Sequence, residues 1–323
     1  MIIEQWVRLL CIKIGWIDDF SIIVSRYILL KYFKPLKEFR ENLGVKTIKF
    51  SPDGAKIVSS CGKTIRLWDV QLGKVIQTLK GHADSVNDAQ FSPNGNMVVS
   101  CSADTTIRLW DIALGQEVKT LKGHSRSVEK VQFSSDGLIV VSASLDSTIR
   151  LWDVRTGEEI KKVGKHSHGI NDVQFSRDGR RIVSASDDKT IIIWNLESNQ
   201  ELCQLRGHSG GVKVAQFSPN DQFLVSCSID KTILIWDVNT KKEVKKFKKH
   251  LDVIRDVKYS PDGRTIISCS DDFTIRLWDV KFGIEIQKLK GHSHWITGVD
   301  ISPDGNTIAS ASYDHTIKLW GRL

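Results

Sequence analysis

The sequence predicts an all-β fold made of seven repeated units, and three observations carry that reading. Trp68, Trp110, Trp152, Trp194, Trp236, Trp278 and Trp320 recur every 42 residues. A self-similarity of that length marks a repeat architecture, each copy one supersecondary unit that cannot bury its apolar face alone. Between successive tryptophans, β-branched residues alternate with polar ones in short runs, which excludes all-helical repeats of similar length. Turn residues separate those runs at constant offsets. Seven periods occupy residues 30–323 and leave 1–29 as an extra segment.

Within the second period, Val86, Ala89 and Phe91 mark a first strand whose uneven step predicts a bulge. Ser92-Pro93-Asn94-Gly95 follows as a turn, proline presetting φ and glycine free to take positive φ. Met97 to Ser102 reads as a second strand and Thr106 to Asp111 as a third, with Ile107 and Leu109 alternating against polar neighbours. Leu114-Gly115 turns the chain into an outer strand, Val118 to Leu121. Four short strands per period, with recurring Gly-His and Trp-Asp pairs, describe one blade of a β-propeller.

The stretch "LKGHADSVNDAQFSPNGNMVVSCSADTTIRLWD", Leu79 to Asp111, resembles the WD-repeat β-propeller family over nearly its whole pattern. Departures are few: Trp194-Asn195 and Trp320-Gly321 replace Trp-Asp, and Lys165-His166 and Lys249-His250 replace Gly-His. The resemblance implies a seven-bladed ring of four-stranded antiparallel blades. It also implies closure by an N-terminal strand pairing into the last blade. The last period lacks an outer strand, and Phe33 to Phe39 lies in the matching register ahead of the first complete unit, so it is assigned there. Pro35 is tolerable in an outer strand, which has one unpaired edge. The domain reading is therefore a propeller over 30–323 preceded by a helical extension over 1–29. In that extension Ile2, Ile3, Trp6, Leu10 and Ile14 can share one helical face. Asp18 or Asp19 could cap a second helix carrying Ile22, Ile23, Tyr27 and Leu30.

The chain is basic, with net charge +8, which keeps polyanions among the conceivable partners. Its six cysteines (Cys11, Cys61, Cys101, Cys203, Cys227, Cys269) show no C-x-x-C spacing. They read as small apolar residues of a reducing compartment, not as a disulfide framework or zinc site. Residues 1–30 are apolar but interrupted by Glu4, Arg8, Lys13, Asp18, Asp19 and Arg26, so no run reaches the roughly 20 residues of a spanning helix. No basic n-region precedes an apolar core, so no cleaved signal peptide is expected. An intracellular protein is expected, cytoplasmic ahead of nuclear.

Each period also supplies histidine, serine and aspartate, the raw material of a hydrolase triad. The histidines are His82, His124, His166, His208, His250 and His292. The serines are Ser100, Ser142, Ser184, Ser226, Ser268 and Ser310, and the turn aspartates Asp104, Asp146, Asp188, Asp230, Asp272 and Asp314. Six equal sets do not make one active centre, because a triad needs one activated serine held by one base. The aspartate falls in the turn after the second strand, and Ser100 lies across that hairpin from Trp110. A buried chain of hydrogen bonds follows from the donor and acceptor inventory. In the resembling family the matching Trp, Ser, His and Asp form such a structural tetrad. One period upstream, His82, Ser100 and Asp104 become Arg40, Val58 and Gly62, so the first unit is expected to lose all three at once. Ser60, two places before that turn, is read as a separate retained feature. No P-loop, H-E-x-x-H or G-x-S-x-G is present. A non-enzymatic protein without cofactor or metal is expected.

By resemblance, partner contacts gather on the top face, at the first-strand bulge and just before the turn aspartate. The pre-aspartate positions read Cys61, Ala103, Leu145, Asp187, Ile229, Asp271 and Tyr313; the bulge positions read Val45, Asn87, Glu129, Asn171, Lys213, Arg255 and Thr297. Of Asp187-Asp188 and Asp271-Asp272, only the first of each pair is free for contact. Trp295 stands where other periods carry Ser, Gly or Val. Trp295, Tyr313, Arg255 and Asp271 form the leading candidate patch, extended by Lys213, Ile229, Asp187 and Leu145, because aromatics and arginine dominate interfaces. The plainer alternative has Trp295 folded over its own blade and Arg255 paired with Asp271 or Asp187. The run Lys241 to Lys249 admits nucleic-acid or anionic-lipid binding. Its simpler reading is an outer strand whose lysines prevent sheet-to-sheet association. Proteins or peptides are the expected partners.

Overall fold

The computed structural model describes residues 32–322. The helical extension read over residues 1–29 therefore lies outside the described residues. Among the described residues, twenty-eight strands form seven separate four-stranded antiparallel sheets. These are the blades of a seven-bladed propeller, numbered here 1 to 7 by their tryptophans. Blade 2 runs from its inner strand Val86–Phe91 through Met97–Ser102 and Ile107–Asp111 to the outer strand Gln116–Leu121.

Local chemistry sets each blade's geometry. In the first turn of blade 2, Ser92 Oγ donates to Asn94 Oδ1 at 2.7 Å and accepts the Met97 N–H at 2.9 Å. Gly95 closes that turn at a φ of +72°, in the left-handed region where a side chain is strained. Every inner strand carries one bulge, and in blade 2 it is Asn87: Val86 pairs with Ser102 and Asp88 with Cys101. In blade 1 Val45 pairs with Cys61 and Thr47 with Ser60, so the bulge falls on Lys46 and not on Val45.

The ring closes through chain ends. Strand Phe33–Arg40 pairs antiparallel with Thr316–Arg322 as the outer strand of blade 7, with a register shift between Pro35 and Lys37. Phe39 stacks on Trp68 of blade 1, ring centroids 5.4 Å apart and planes 15° from parallel. Lys318 Nζ reaches Glu38 at 2.8 Å.

The core consists of seven apolar clusters, each between neighbouring blades. Between blades 3 and 4, for example, Val141, Ala143 and Leu151 meet Ile170, Val173 and Trp194. Toward the side of the ring bearing the Ser-Pro turns, the second residue after tryptophan closes most of these interfaces. It is Val70, Ile112, Val154, Leu196, Val238 and Val280 in blades 1 to 6, and Arg322 in blade 7.

Candidate functional site

In blades 2 to 7 the four polar residues of each period come together. Histidine Nδ1 lies 2.7–3.0 Å from the turn aspartate, and Nε2 lies 2.7–2.8 Å from the serine hydroxyl. The same serine oxygen accepts the indole N–H at 2.8–3.0 Å. All six serines are fully buried. The hydroxyl-to-imidazole bond is also that of a hydrolase triad, but here each serine oxygen is sealed from solvent and covered by the indole that donates to it, so a substrate has no path to any of the six.

The charges agree with that bond order. Burial tends to raise the Asp104 and Asp188 carboxyls. Hydrogen bonds from Thr106 and His82, and from Thr190 and His166, outweigh it and bring both down to about 2. Burial is also the largest influence on His82, His166 and His250, and it pushes each below the ordinary histidine value against the pull of its aspartate. These imidazoles are neutral, Nδ1–H donating to carboxylate and Nε2 accepting from serine. The unfolded chain binds protons that these folded groups refuse, histidines from about pH 6.5 downward and aspartates below about pH 4. Stability is therefore present above those values and lost as pH falls. The melting temperature should decline from pH 7.5 to pH 5, and a flat profile across that interval would contradict neutral tetrad histidines.

Blade 1 corrects the sequence reading. Its second hairpin pairs Cys61 directly with Thr64, leaving Gly62 and Lys63 as a turn one residue shorter than the others. Upstream of that turn the equivalences shift by one. Trp68 Nε1 donates to Ser59 Oγ at 2.9 Å, so the serine is retained rather than lost. Glu41 stands at the histidine position, 3.5 Å from Ser59 Oγ and 2.6 Å from Arg66 Nη1. Burial raises the Glu41 carboxyl, opposed by the Arg66 charge. Ser60 is not the counterpart of Ser102; Cys61 is, its thiol reaching Leu43 O as Ser102 reaches Asp84 O. Cys61 therefore holds no pre-aspartate position on the top face.

The inner strands bring together charges that sequence reasoning did not single out. Asp88, Asp172 and Asp256 are buried among them. Asp88 accepts from Thr47 at 2.9 Å and pairs with Lys130 at 3.2 Å, and Asp256 lies 3.8 Å from Lys49. Burial takes Lys258 down to about 8. These groups tie neighbouring blades together: Ala215 N–H donates to Asp172 and Val299 N–H to Asp256. The signal in sequence was a polar residue at alternate inner-strand positions, such as Asp88 and Gln90.

On the top face several candidate residues are committed to one another. Lys213 Nζ lies 3.1 Å from Asp187, and Arg255 grips Asp271 with two bonds of 2.8 and 2.7 Å. The Asp271 carboxylate is buried in that pair and so is not the free contact expected, whereas Asp187, bonded to Lys213 and Asn171, keeps an exposed side chain. Arg255 itself remains one third exposed, its guanidinium over the Trp295 ring at 5.4 Å. Tyr313 meets Trp295 edge-on at 6.0 Å, and His294 adds a third ring at 5.2 Å. Trp295 is 40% exposed. Leu145 is half-buried against Gly169, whereas Ile229 is exposed.

Two residues were missed. Phe273 is exposed and its ring lies 6.1 Å from His294. It follows the turn aspartate at a φ of +65°, where blades 2 to 5 and 7 carry Thr105, Ser147, Lys189, Lys231 and His315. Leu251 is 73% exposed, and its carbonyl accepts from Lys231 at 2.8 Å. Comparing periods position by position exposes both as apolar exceptions. With Ile229 and Trp295 they place exposed apolar side chains on the top face of blades 5 to 7, and Leu43 adds one in blade 1. At the Leu251 position blades 2 to 5 and blade 7 carry Ala83, Ser125, Ser167, Ser209 and Ser293.

The basic run lies where the plainer reading put it. Lys242–Phe247 is the outer strand of blade 5. Lys245 Nζ donates to Val280 O at 2.6 Å, and Lys249 pairs with Glu285 at 3.4 Å. Among the described residues no three metal-ligating side chains gather, and no helix is long and apolar enough to cross a membrane.

The family model "WD domain, G-beta repeat" matches seven times, at residues 33–69, 73–111, 115–153, 157–195, 199–237, 241–279 and 283–321. The chain is a WD-repeat protein. Curated relatives match this WD-repeat protein only over short stretches. "WD repeat-containing protein AAC3" of Dictyostelium discoideum is 34% identical over 62 residues, 19% of this chain and 13% of that protein. The human "U5 small nuclear ribonucleoprotein 40 kDa protein" is 36% identical over 56 residues, 17% and 16% of the two chains. The human "Intraflagellar transport protein 122 homolog" is 33% identical over 60 residues, 19% of this chain and 5% of that one.

Proposed function

We propose that this WD-repeat protein is a non-catalytic scaffold. It binds proteins or peptides through the top face of blades 5 to 7 and so assembles them into complexes. The observation that carries this reading is the exposed cluster of Trp295, Tyr313, Phe273 and His294, with Arg255 held by Asp271 against the indole. Large rigid rings lose little conformational freedom on binding, and a preorganised guanidinium loses less than a mobile one. Nothing in the blade requires an indole at residue 295, since Ser85, Ser127, Gly169, Gly211 and Val253 serve the same position elsewhere. The buried, unpaired cysteines support an intracellular setting, with the cytoplasm ahead of the nucleus. A relative named for a ribonucleoprotein and another for intraflagellar transport support work within larger assemblies.

Affinity capture tests the reading with Trp295→Ala combined with Phe273→Ser, which leaves the Arg255–Asp271 pair intact. Capture of protein partners should fall about tenfold or more, as for loss of interface hot spots, with the circular dichroism spectrum unchanged. Undiminished capture would sink the top-face assignment. Capture of RNA or anionic vesicles that survives moderate salt and disappears with charge reversal at Lys242, Lys246 and Lys248 would favour polyanion binding at the blade 5 edge instead.

A further inference from the structure

Near the Ser-Pro turns, six of the seven blade interfaces are closed by the same two kinds of side chain, and the seventh has neither. The last residue of the inner strand is aromatic in blades 1 to 6: Phe50, Phe91, Phe133, Phe175, Phe217 and Tyr259. The second residue after tryptophan is aliphatic in the same blades, from Val70 to Val280. In each of those blades the two pack in one interblade cluster. Blade 7 carries Ile301 and Arg322 instead. The Arg322 backbone keeps its place, its N–H donating to Asn306 O at 2.9 Å as Val280 N–H donates to Arg264 O at 3.0 Å. Its side chain is exposed, because an unpaired guanidinium is costly to bury in an apolar seam.

The two substitutions leave a cavity of about 230 Å³ between blades 6 and 7. Phe33 forms one wall, held by two bonds to Gln287 of blade 6 at 2.9 and 2.8 Å. Ile267, Leu277 and Ile301 form the other apolar walls. That volume is below the roughly 300–1,000 Å³ of sites for drug-sized ligands. It suits one aliphatic side chain, the kind of group that the other six interfaces supply from within.

The mouth of this socket is charged. Asp262 and Asp304 line it, but each carboxylate serves its own turn. Asp262 accepts from Ser260 Oγ at 2.6 Å and from Arg264 N–H at 3.0 Å, and Asp304 accepts from Ser302 and Asn306. Arg264 and Arg322 are exposed there, and their guanidiniums form no hydrogen bond or ion pair among the described residues. The donors left over at the mouth are therefore cationic. They match a carboxylate, which a guanidinium can hold with two parallel bonds.

We propose that this socket is a second protein-docking site, taking an aliphatic side chain of a partner peptide with a flanking carboxylate on Arg264 or Arg322. It lies on the face bearing the Ser-Pro turns, opposite the aromatic cluster, and stands on residues that the scaffold reading does not use. A partner held here leaves the top face open, so one propeller joins two ligands at once.

Methyl NMR of the full chain, labelled at isoleucine, tests it by titration with hexapeptides. Ser-Asp-Leu-Asp-Ser-Gly should shift the Ile267 and Ile301 methyl signals. It should bind at least about tenfold more tightly than Ser-Asp-Ala-Asp-Ser-Gly, which lacks the anchor. Its advantage over Ser-Asn-Leu-Asn-Ser-Gly, which lacks the charge, should be about threefold or more at low salt. Arg264→Gln with Arg322→Gln should erase that second difference. Ile301→Phe supplies the ring that the other blades carry, and Arg322→Val closes the socket from its other side; each should abolish binding without lowering the melting temperature. Trp295→Ala with Phe273→Ser should leave the peptide affinities unchanged, which keeps failure here distinct from failure of the top-face reading. No shift at Ile267 and Ile301, equal binding of the leucine and alanine peptides, or binding untouched by both socket-filling variants overturns the proposal. Self-association that disappears with Ile301→Phe overturns it in favour of a second copy of this chain.

Discussion

Deleting residues 30–40 is expected to lower the melting temperature by tens of degrees or to abolish cooperative unfolding. The strand carries Phe33 and Phe39, both buried in clusters that span blade interfaces. Phe39 stacks on Trp68 of the neighbouring blade. Phe39→Ala removes a packed aromatic, at a cost of about 3–5 kcal/mol, or about 6–20 °C for a domain at the large end of the calibrated range. Without the strand, the third strand of blade 7 is also left as an open edge, a template for association with other chains. Calorimetry reads the first effect and light scattering the second. An unshifted melting temperature in Phe39→Ala would mean that the ring does not depend on this closure.

Glu41→Ala should be the most damaging single substitution of a polar residue in blade 1. The Glu41 carboxylate is fully enclosed and pairs with Arg66 at 2.6 Å. Removing it leaves a guanidinium partly buried without its counter-charge, at a cost of about 3–5 kcal/mol. Ser59 loses its acceptor in the same step. Glu41→His should not rescue stability, although histidine serves the equivalent place in the other six blades. The shorter Gly62-Lys63 turn offers no carboxylate for Nδ1. Denaturant titration of the three proteins decides it; a fully stable Glu41→His variant would show that the Arg66 pairing is dispensable.

The fold was legible because its evidence is repeated: seven tryptophans at one spacing constrain the architecture more tightly than any single motif. Blade 1 was misread for the same reason. A fixed 42-residue offset cannot register a hairpin one residue short, and a one-residue slip exchanges every inward residue for an outward one. Hence Val58 was aligned where Ser59 belongs, and Val45 where Lys46 does. On the top face, departures from the repeat pointed to Trp295 and Tyr313. They could not show that Arg255 is bound to Asp271 or Lys213 to Asp187, since those contacts depend on how loops meet in space. Phe273 and Leu251 were readable by the comparison that found Trp295. Arg322 was readable as well: it is one cation in a column of six aliphatic residues.

The pairing of Phe33 with Arg322 also imposes an order on biosynthesis. Strand Phe33–Arg40 must wait for residues 316–322 before it has a partner. At ribosomal rates of about 5–20 residues per second, the interval is about 15–60 s. Throughout it, blades 1 to 6 can form one after another while Phe33 and Phe39 stay uncovered. A ribosome stalled anywhere within blade 7 would hold a nearly complete ring with two adhesive ends, one at each side of the gap. For this protein the vulnerable species is the unfinished ring rather than the unfolded chain, and the burden on chaperones falls while blade 7 is being made.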